Sequence, residues 1–155
     1  MIYGFWRPDP RASSREKYRP GDKARFTLTF TNKGAGHKIP TGDPDRFFTV
    51  RFSMADGKGG IVKEKSYTIG RWILWWPAII EVYENRVLPL RNNIYTFEYR
   101  VPRDATEGHH LVAEVTYHIM TERMHRKLKK KYGLASEDEY SFVVYSRNIP
   151  LKMGD

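Results

Sequence analysis

The chain has no cysteine among its 155 residues. Disulfides, thiolate metal ligands and cysteine nucleophiles are therefore excluded. Covalent attachment of a c-type haem is excluded as well, because that attachment needs a Cys-x-x-Cys-His run. Any c-type haem close to this chain would have to be carried by another chain.

Long apolar runs are also missing. No stretch is long enough to cross a bilayer, so we predict no membrane span. Residues 1–10 lack the apolar core of a signal peptide. Three patterns typical of enzymes are absent too: a nucleophile elbow, a phosphate-binding glycine loop, and paired carboxylates in an apolar setting. The sequence therefore predicts a protein that is not an enzyme and works by binding a partner.

The chain has fewer acidic than basic residues: 18 Asp and Glu compared with 27 Lys and Arg, which gives a formal net charge of +9. This excess predicts a partner with an acidic surface, such as a protein, haem propionates, phosphate or another anionic surface like a glycan. A single helix is predicted at residues 121–132, where Met124, Leu128 and Tyr132 recur every fourth residue. The cations expected to contact a partner from this helix are Arg126, Lys127, Lys130 and Lys131. Nucleic acid is disfavoured as the partner, because a cationic face opposite an apolar stripe is usual for a surface helix.

Alternation of apolar and polar residues with a period of two predicts the strands. It is clearest at Phe26, Leu28 and Phe30. The same alternation recurs at residues 48–54, 95–101 and 111–119. A last strand is predicted at 140–148, where Tyr140, Phe142 and Val144 alternate with other residues. Residues 61–69 should pair with 48–54 as a hairpin. With one late helix, these strands indicate an all-β fold, an antiparallel β-sandwich of the immunoglobulin-like type. Residues 1–20 are interpreted as an extended lead-in segment and residues 21–151 as the sandwich domain.

A loop rich in glycine and proline follows the first strong strand, at residues 32–45. Glycine permits positive φ and proline fixes other torsions, so the loop should hold one conformation that presents His37. In a structural interpretation, His37 is buried and both ring nitrogens bond to its own loop. In a functional interpretation, it offers a neutral imidazole to a metal, most plausibly haem iron.

Three of the four tryptophans, Trp72, Trp75 and Trp76, fall within five residues. One strand face cannot usually bury that much aromatic surface. Some of it is therefore expected at an interface, as an anchor against a partner protein or the edge of a haem. Burial in the core is the alternative, since tryptophan is well buried on average.

Two segments carry a family resemblance. The first is Thr29-Phe30-Thr31-Asn32 followed by Gly34-Ala35-Gly36-His37 and Pro40-Thr41-Gly42-Asp43-Pro44; the second is Glu84-Asn85-Arg86-Val87 with Pro89, before the alternation at Tyr95 and Phe97. Together they resemble the C-terminal β-domain of bacterial and archaeal multihaem c-type cytochromes. The resemblance spans most of the chain. Glu84 stands where that family usually has Asp, and the haem-binding portion is missing from this chain.

The resemblance implies a haem-free β-sandwich, as a separate subunit or an excised domain, that docks on a multihaem c-type cytochrome in electron transfer. It implies haem c of a partner chain as the nearby cofactor, with His37 as its axial ligand in trans, and a periplasmic or extracellular location. The competing hypothesis is a free-standing adhesion or glycan-binding module whose ligand contacts residues 72–76. A Soret band, in the purified chain or gained with its partner, would separate the two.

Overall fold

The computed structural model describes residues 9–11, 17–43, 45–105, 108–133 and 139–154. Within these residues the chain forms nine strands and one helix. They are β1 (Asp9–Arg11), β2 (Lys23–Thr31), β3 (Phe47–Ala55), β4 (Ile61–Ile69), β5 (Arg71–Leu74), β6 (Ile80–Glu84), β7 (Asn92–Arg100), β8 (His110–His118), α1 (Glu122–Tyr132) and β9 (Ser141–Pro150). Among these residues no helix is long and apolar enough to cross a bilayer.

Two antiparallel sheets pack as a sandwich. One has the strand order β1-β2-β7 and the other β4-β3-β8-β9. In immunoglobulin terms, strands A, B and E face strands C, F and G, and β4 is added beside C as variable-type domains add C′. The predicted fold class, an all-β antiparallel sandwich with one late helix, is confirmed.

The core lies between the two sheets, where the predicted apolar registers meet. The members from β2 are Phe26, Leu28 and Phe30, all buried. Phe30 lies 5.1 Å from Phe48 of the opposite sheet, and Phe52 stacks on Phe97 at 5.7 Å, both measured between ring centroids. Burying a side chain of this size contributes about 1.5–3 kcal/mol. These ring contacts across the core therefore help to fix the relative position of the two sheets.

Strand β9 departs from its predicted pattern. We expected Tyr140, Phe142 and Val144 to point inward. The ladder between β8 and β9 shifts register after Val115, which leaves Val144 without a partner in β8. An extra residue of this kind is a β-bulge, and it reverses the inward alternation. Tyr145 and Ile149 therefore pack against the core. Val144, at the bulge, is exposed, and Phe142, which pairs with Tyr117 before the bulge, is exposed as well.

Helix α1 has the predicted extent but not the expected packing. The Thr121 side chain accepts a hydrogen bond from the backbone N–H of Met124 at 3.2 Å and caps its start. Gly133, at φ 64°, ends it in the left-handed conformation that glycine adopts without strain. None of the helix residues is buried, so the stripe that includes Leu128 and Tyr132 does not enter the core. The helix lies on the surface with its apolar stripe accessible.

The hairpin of β5 and β6 is a third, separate sheet that the strand pattern did not predict. Residues 72–80 are apolar without interruption, and a continuous run has no period of two to reveal a strand. A second unpredicted strand is β1, which lies in the lead-in segment and pairs with residues 27–29 of β2. The lead-in thus contributes an edge strand to the first sheet.

Candidate docking site at the His37 end

Strand ends from both sheets meet at one end of the sandwich. Thr31 at the end of β2 pairs with Asn92 at the start of β7, and Phe47 at the start of β3 pairs with His118 at the end of β8. A ring contact across the core joins the two sheets there. The segments that leave from this end are loop 32–46, the β5–β6 hairpin, turn 85–91 and α1. We call this region the His37 end; it collects every site residue that the sequence predicts.

Asn32 organises the loop that carries His37. Its side chain is 1% exposed. The Nδ2 group donates to the backbone carbonyl of His37 at 2.8 Å and to that of Val87 at 3.2 Å, and Oδ1 accepts from the N–H of Ala35 at 3.1 Å. Because this buried amide has hydrogen-bond partners on both its oxygen and its nitrogen, it fixes the backbone of the loop.

The loop rests on the turn that follows β6. Ile39 and Val87 exchange two backbone hydrogen bonds of 3.0 and 2.9 Å. Nearby, Leu90 donates to the Asn32 carbonyl at 2.9 Å, and Asn32 donates to the Arg91 carbonyl at 3.0 Å. The two segments that carry the family resemblance are therefore in direct contact, although they lie about fifty residues apart in the sequence. They form one composite structure.

His37 is exposed at the surface of this loop. Its Nδ1 lies 3.1 Å from the backbone carbonyl of Lys38. A carbonyl only accepts, so Nδ1 carries the proton, and in the neutral ring Nε2 keeps a free lone pair. Among the described residues Nε2 has no hydrogen-bond partner. A ring oriented through one nitrogen while the other stays open is how metal-binding histidines are usually held.

This geometry does not match the structural interpretation, in which His37 was to be buried with both nitrogens bonded. The ligand role itself remains a prediction. The loop's form also depends on Gly42, whose φ is +90°. A Cβ there would lie 3.0 Å from the Arg46 guanidinium, so a larger residue would meet both backbone strain and crowding.

An ion-pair network lies beneath the loop. The Glu84 carboxylate accepts from Arg86 Nε at 2.9 and 3.0 Å, and also from Arg86 Nη2. Lys38 Nζ reaches the same carboxylate at 3.2 Å. The Arg86 hydrogen bonds are the main cause that lowers the pKa of Glu84 from 4.5 to about 2. Glu84 therefore keeps its charge, and the turn and the His37 loop are joined electrostatically.

The tryptophans lie in the hairpin and are exposed. Trp72 is on β5, while Trp75 and Trp76 are in the connection to β6. Their exposed fractions are 58%, 60% and 75%. The alternative that these side chains fill the core is thus wrong, and they are available for contact.

The cations of α1 are also exposed: Arg126, Lys127, Lys130 and Lys131. Only Arg126 has an ion-pair partner among the described residues, Glu122 at 3.4 Å, and both side chains are largely solvated. Three consecutive lysines, from Lys129 to Lys131, fill the last turn. The helix therefore presents concentrated positive charge at the His37 end.

Two of the other four histidines lie at the opposite end of the sandwich, whereas His118 and His125 are on elements that reach the His37 end. His109 is buried at the opposite end of the sandwich, and His110 sits beside it, with Nδ1 3.2 Å from the Gly108 carbonyl. His118 contacts Thr49 and stacks on Phe47, and burial lowers its pKa. No group of three or more His, Asp or Glu side chains suited to a metal occurs in the described ranges. Any metal contact by His37 would thus need ligands from elsewhere.

Sequence reasoning singled out His37 and the tryptophans but gave no role to Asn32 or to the base of the hairpin. The available signal for Asn32 was an asparagine directly after an alternating strand and before a glycine-rich loop. At the hairpin base, Arg71 Nη2 donates to the Gly42 carbonyl at 3.4 Å. No local pattern predicts that contact.

The comparisons with known proteins bear on the fold. No protein-family model matches the chain, and no curated protein matches it in sequence. Among solved structures, it is similar to a penta-haem cytochrome c552 from Thermochromatium tepidum, with a TM-score of 0.71 and 13% identity over 94% of this chain. It spans only 39% of that cytochrome's length. A CARDB domain from Pyrococcus furiosus, solved with di-metal ions, aligns over 99% of this chain and all of its own at a TM-score of 0.42 and 13% identity. The chain thus has the β-sandwich fold found in part of a penta-haem cytochrome.

Proposed function

We propose that this chain is a non-catalytic β-sandwich that docks on a multihaem c-type cytochrome and supplies His37 as an axial ligand to one of its haems. The observation that carries the proposal is the His37 ring itself. It is exposed, oriented through Nδ1 by the Lys38 carbonyl, and open at Nε2. Haem iron is commonly held by such an imidazole.

The fold likeness supports this proposal. One solved structure that is similar to 94% of this chain is a penta-haem cytochrome, and most of that cytochrome lies outside the matched part. A sandwich that accompanies a haem-bearing portion fits this relation. The chain has no cysteine with which to hold a haem c of its own, so the haem would belong to the partner. Association with c-type cytochromes would place the chain in the periplasm or outside the cell.

A preformed loop makes ligation in trans favourable. Asn32 and the Ile39–Val87 pair fix the backbone on both sides of His37. Little conformational entropy then remains to be lost when the imidazole meets iron. Ligation would also couple docking to the haem's reduction potential, because the axial ligand is one of the protein's main controls over it.

A haem c peptide with one histidine ligand and an open sixth position is the probe that tests the proposal. Mixing it with the purified chain should convert the ferric spectrum from high spin to low spin and shift the Soret band. His37→Ala should abolish the conversion. His110→Ala is the matched control, since that ring also contacts a carbonyl through Nδ1 but lies at the opposite end. Persistence of the low-spin spectrum in His37→Ala would refute the ligand role.

The basic helix is proposed to steer association. Replacing Lys127, Lys130 and Lys131 with Glu should slow binding to an acidic multihaem c-type cytochrome about tenfold or more at low salt, because charge complementarity acts mainly on the association rate. The difference should shrink as salt rises, since the screening length falls to about 8 Å at physiological ionic strength. Stopped-flow mixing over a salt series measures this. Equal rates at every salt concentration would exclude the helix from the docking face.

Exposed tryptophans are also the feature that favours the second candidate, a glycan-binding or adhesion module. Aromatic side chains with both an apolar body and an N–H group are common at binding surfaces. The haem c titration separates the candidates, because a glycan-binding module should leave the spectrum of the probe unchanged.

A further inference from the structure

The β5–β6 hairpin exposes apolar surface that the sandwich leaves uncovered. Two cross-strand pairs, Trp72 with Tyr83 and Leu74 with Ile80, are exposed on it. The connection between the strands adds Trp75, Trp76 and Ile79. A two-stranded hairpin is marginally stable alone in water, and a large exposed apolar patch marks an interaction site.

The charged residues of the hairpin lie in its other cross-strand pairs: Arg71 pairs with Glu84 at the base, and Glu81 pairs with Ile73 near the connection. Residues 72–80 contain no charged side chain, whereas Arg71 precedes them and Glu81 and Glu84 follow. An occupant that contacts the tryptophans must therefore offer an extended apolar face. A desolvated charge against the tryptophans would have no partner, which is costly.

The base of the hairpin is joined to the His37 loop on both strands. From β5, Arg71 Nη2 donates to the Gly42 carbonyl at 3.4 Å; from β6, Glu84 accepts from Lys38 Nζ at 3.2 Å. His37 is the residue before Lys38, and Trp72 is the residue after Arg71. The open imidazole is thus one residue from one of these contacts, and the tryptophan surface begins one residue from the other.

We propose that the hairpin and the His37 loop form a single binding surface for one haem c of a neighbouring chain. This inference rests on the proposed function and adds the elements that recognise the rest of the haem. The hairpin would contact the apolar macrocycle, and His37 Nε2 would hold the iron. The two propionates meet the cations at the hairpin base, Lys38 and Arg71.

Each part of a haem finds its complement here. The iron needs an imidazole with a free nitrogen, the macrocycle needs flat apolar contact, and the carboxylates need cations. Lys38 can turn toward a propionate because Arg86 already pairs with Glu84 through several hydrogen bonds. A lipid surface or a second copy of the chain would contact the tryptophans, but neither would need the His37 imidazole.

The test is the affinity of the haem c peptide for a Trp72→Ala/Trp76→Ala double variant. Both side chains are exposed, so the fold should persist, which the circular dichroism spectrum checks. We expect the dissociation constant to rise about tenfold or more, as truncation of aromatic hot spots does. The low-spin spectrum at saturation should be unchanged because His37 is intact. The control is Ile61→Ala/Val62→Ala, two exposed apolar residues of β4 at the opposite end, which should bind as the wild type does.

The outcomes separate this inference from the proposed function. Wild-type affinity in the double tryptophan variant, with a low-spin spectrum, overturns the hairpin's role and leaves His37 ligation standing. Weak binding of the probe to His37→Ala that still quenches tryptophan fluorescence supports the hairpin's role independently of ligation. A different result would overturn the inference and assign the hairpin to lipid or to a second copy of the chain. In that result the double tryptophan variant keeps its haem affinity but loses binding to phosphatidylglycerol vesicles, or loses dimerisation in sedimentation, that the wild type shows.

Discussion

Replacing Asn32 with alanine should lower the free energy of unfolding by about 3 kcal/mol and release the His37 loop. The change leaves the His37 carbonyl and the Ala35 N–H without their partner, and the Val87 carbonyl keeps only its bond from the Ile39 N–H. Each buried polar group left unsatisfied costs about 1–3 kcal/mol, and part of this is recovered where water reaches the half-buried loop. Urea unfolding of the variant measures the loss.

Asn93 provides the matched control for that experiment. It is a half-buried asparagine at the same end, and its Nδ2 makes two longer bonds, to the Asn85 carbonyl at 3.3 Å and the Tyr95 hydroxyl at 3.2 Å. Asn93→Ala should cost only about 1 kcal/mol. Equal losses in the two variants would show that Asn32 has no special part in holding the loop.

Replacing Arg86 with methionine should also cost about 3 kcal/mol at pH 7. Methionine keeps an unbranched apolar side chain but leaves the mostly buried Glu84 carboxylate with Lys38 alone, and removing one partner of such a pair is strongly destabilising. The pKa of Glu84 in the folded wild type, about 2, lies below its usual 4.5. Its ionisation therefore contributes up to about 3 kcal/mol above pH 4.5, and this contribution is lost as the pH falls from about 4.5 to about 2.

Unfolding at pH 7 and at low pH tests that account of Glu84 and Arg86. The gap between wild type and Arg86→Met should narrow toward pH 2, where Glu84 is protonated in the unfolded chain and half-protonated in the folded one. The double variant Glu84→Gln/Arg86→Met should recover much of the loss at pH 7, because it buries no unpaired charge. A gap that stays constant with pH would mean that Arg86 acts through packing alone.

The sandwich could be predicted because its strands have one face in the core and one in solvent. Apolar and polar residues therefore alternate along each strand with a period of two. Strand β2 is the clear example, with Phe26, Leu28 and Phe30 inward. The β5–β6 hairpin could not be predicted in this way, since neither of its faces is polar. The bulge at Val144 was missed for a related reason: one extra residue reverses the phase without changing the composition.

At the site, the sequence indicates which residues carry chemistry but not what holds them. His37 stands out because it is a histidine between glycines and prolines. The role of Asn32 depends on carbonyls at His37 and Val87, and the second of these is 55 residues away. The joining of the hairpin to the loop depends on Arg71 and Lys38, and only the folded structure brings them to their partners.

Ligation of the iron by His37 is measured most directly in the nuclear magnetic resonance spectrum of the chain with ¹⁵N-labelled histidine rings, bound to the ferric haem c peptide. The five histidines give separate ring signals, so the ligand can be assigned to one residue and one nitrogen. We expect Nε2 of His37 alone to shift far outside the diamagnetic range, as a nitrogen bonded to low-spin iron does. A shift at any other histidine, or at none, would contradict it.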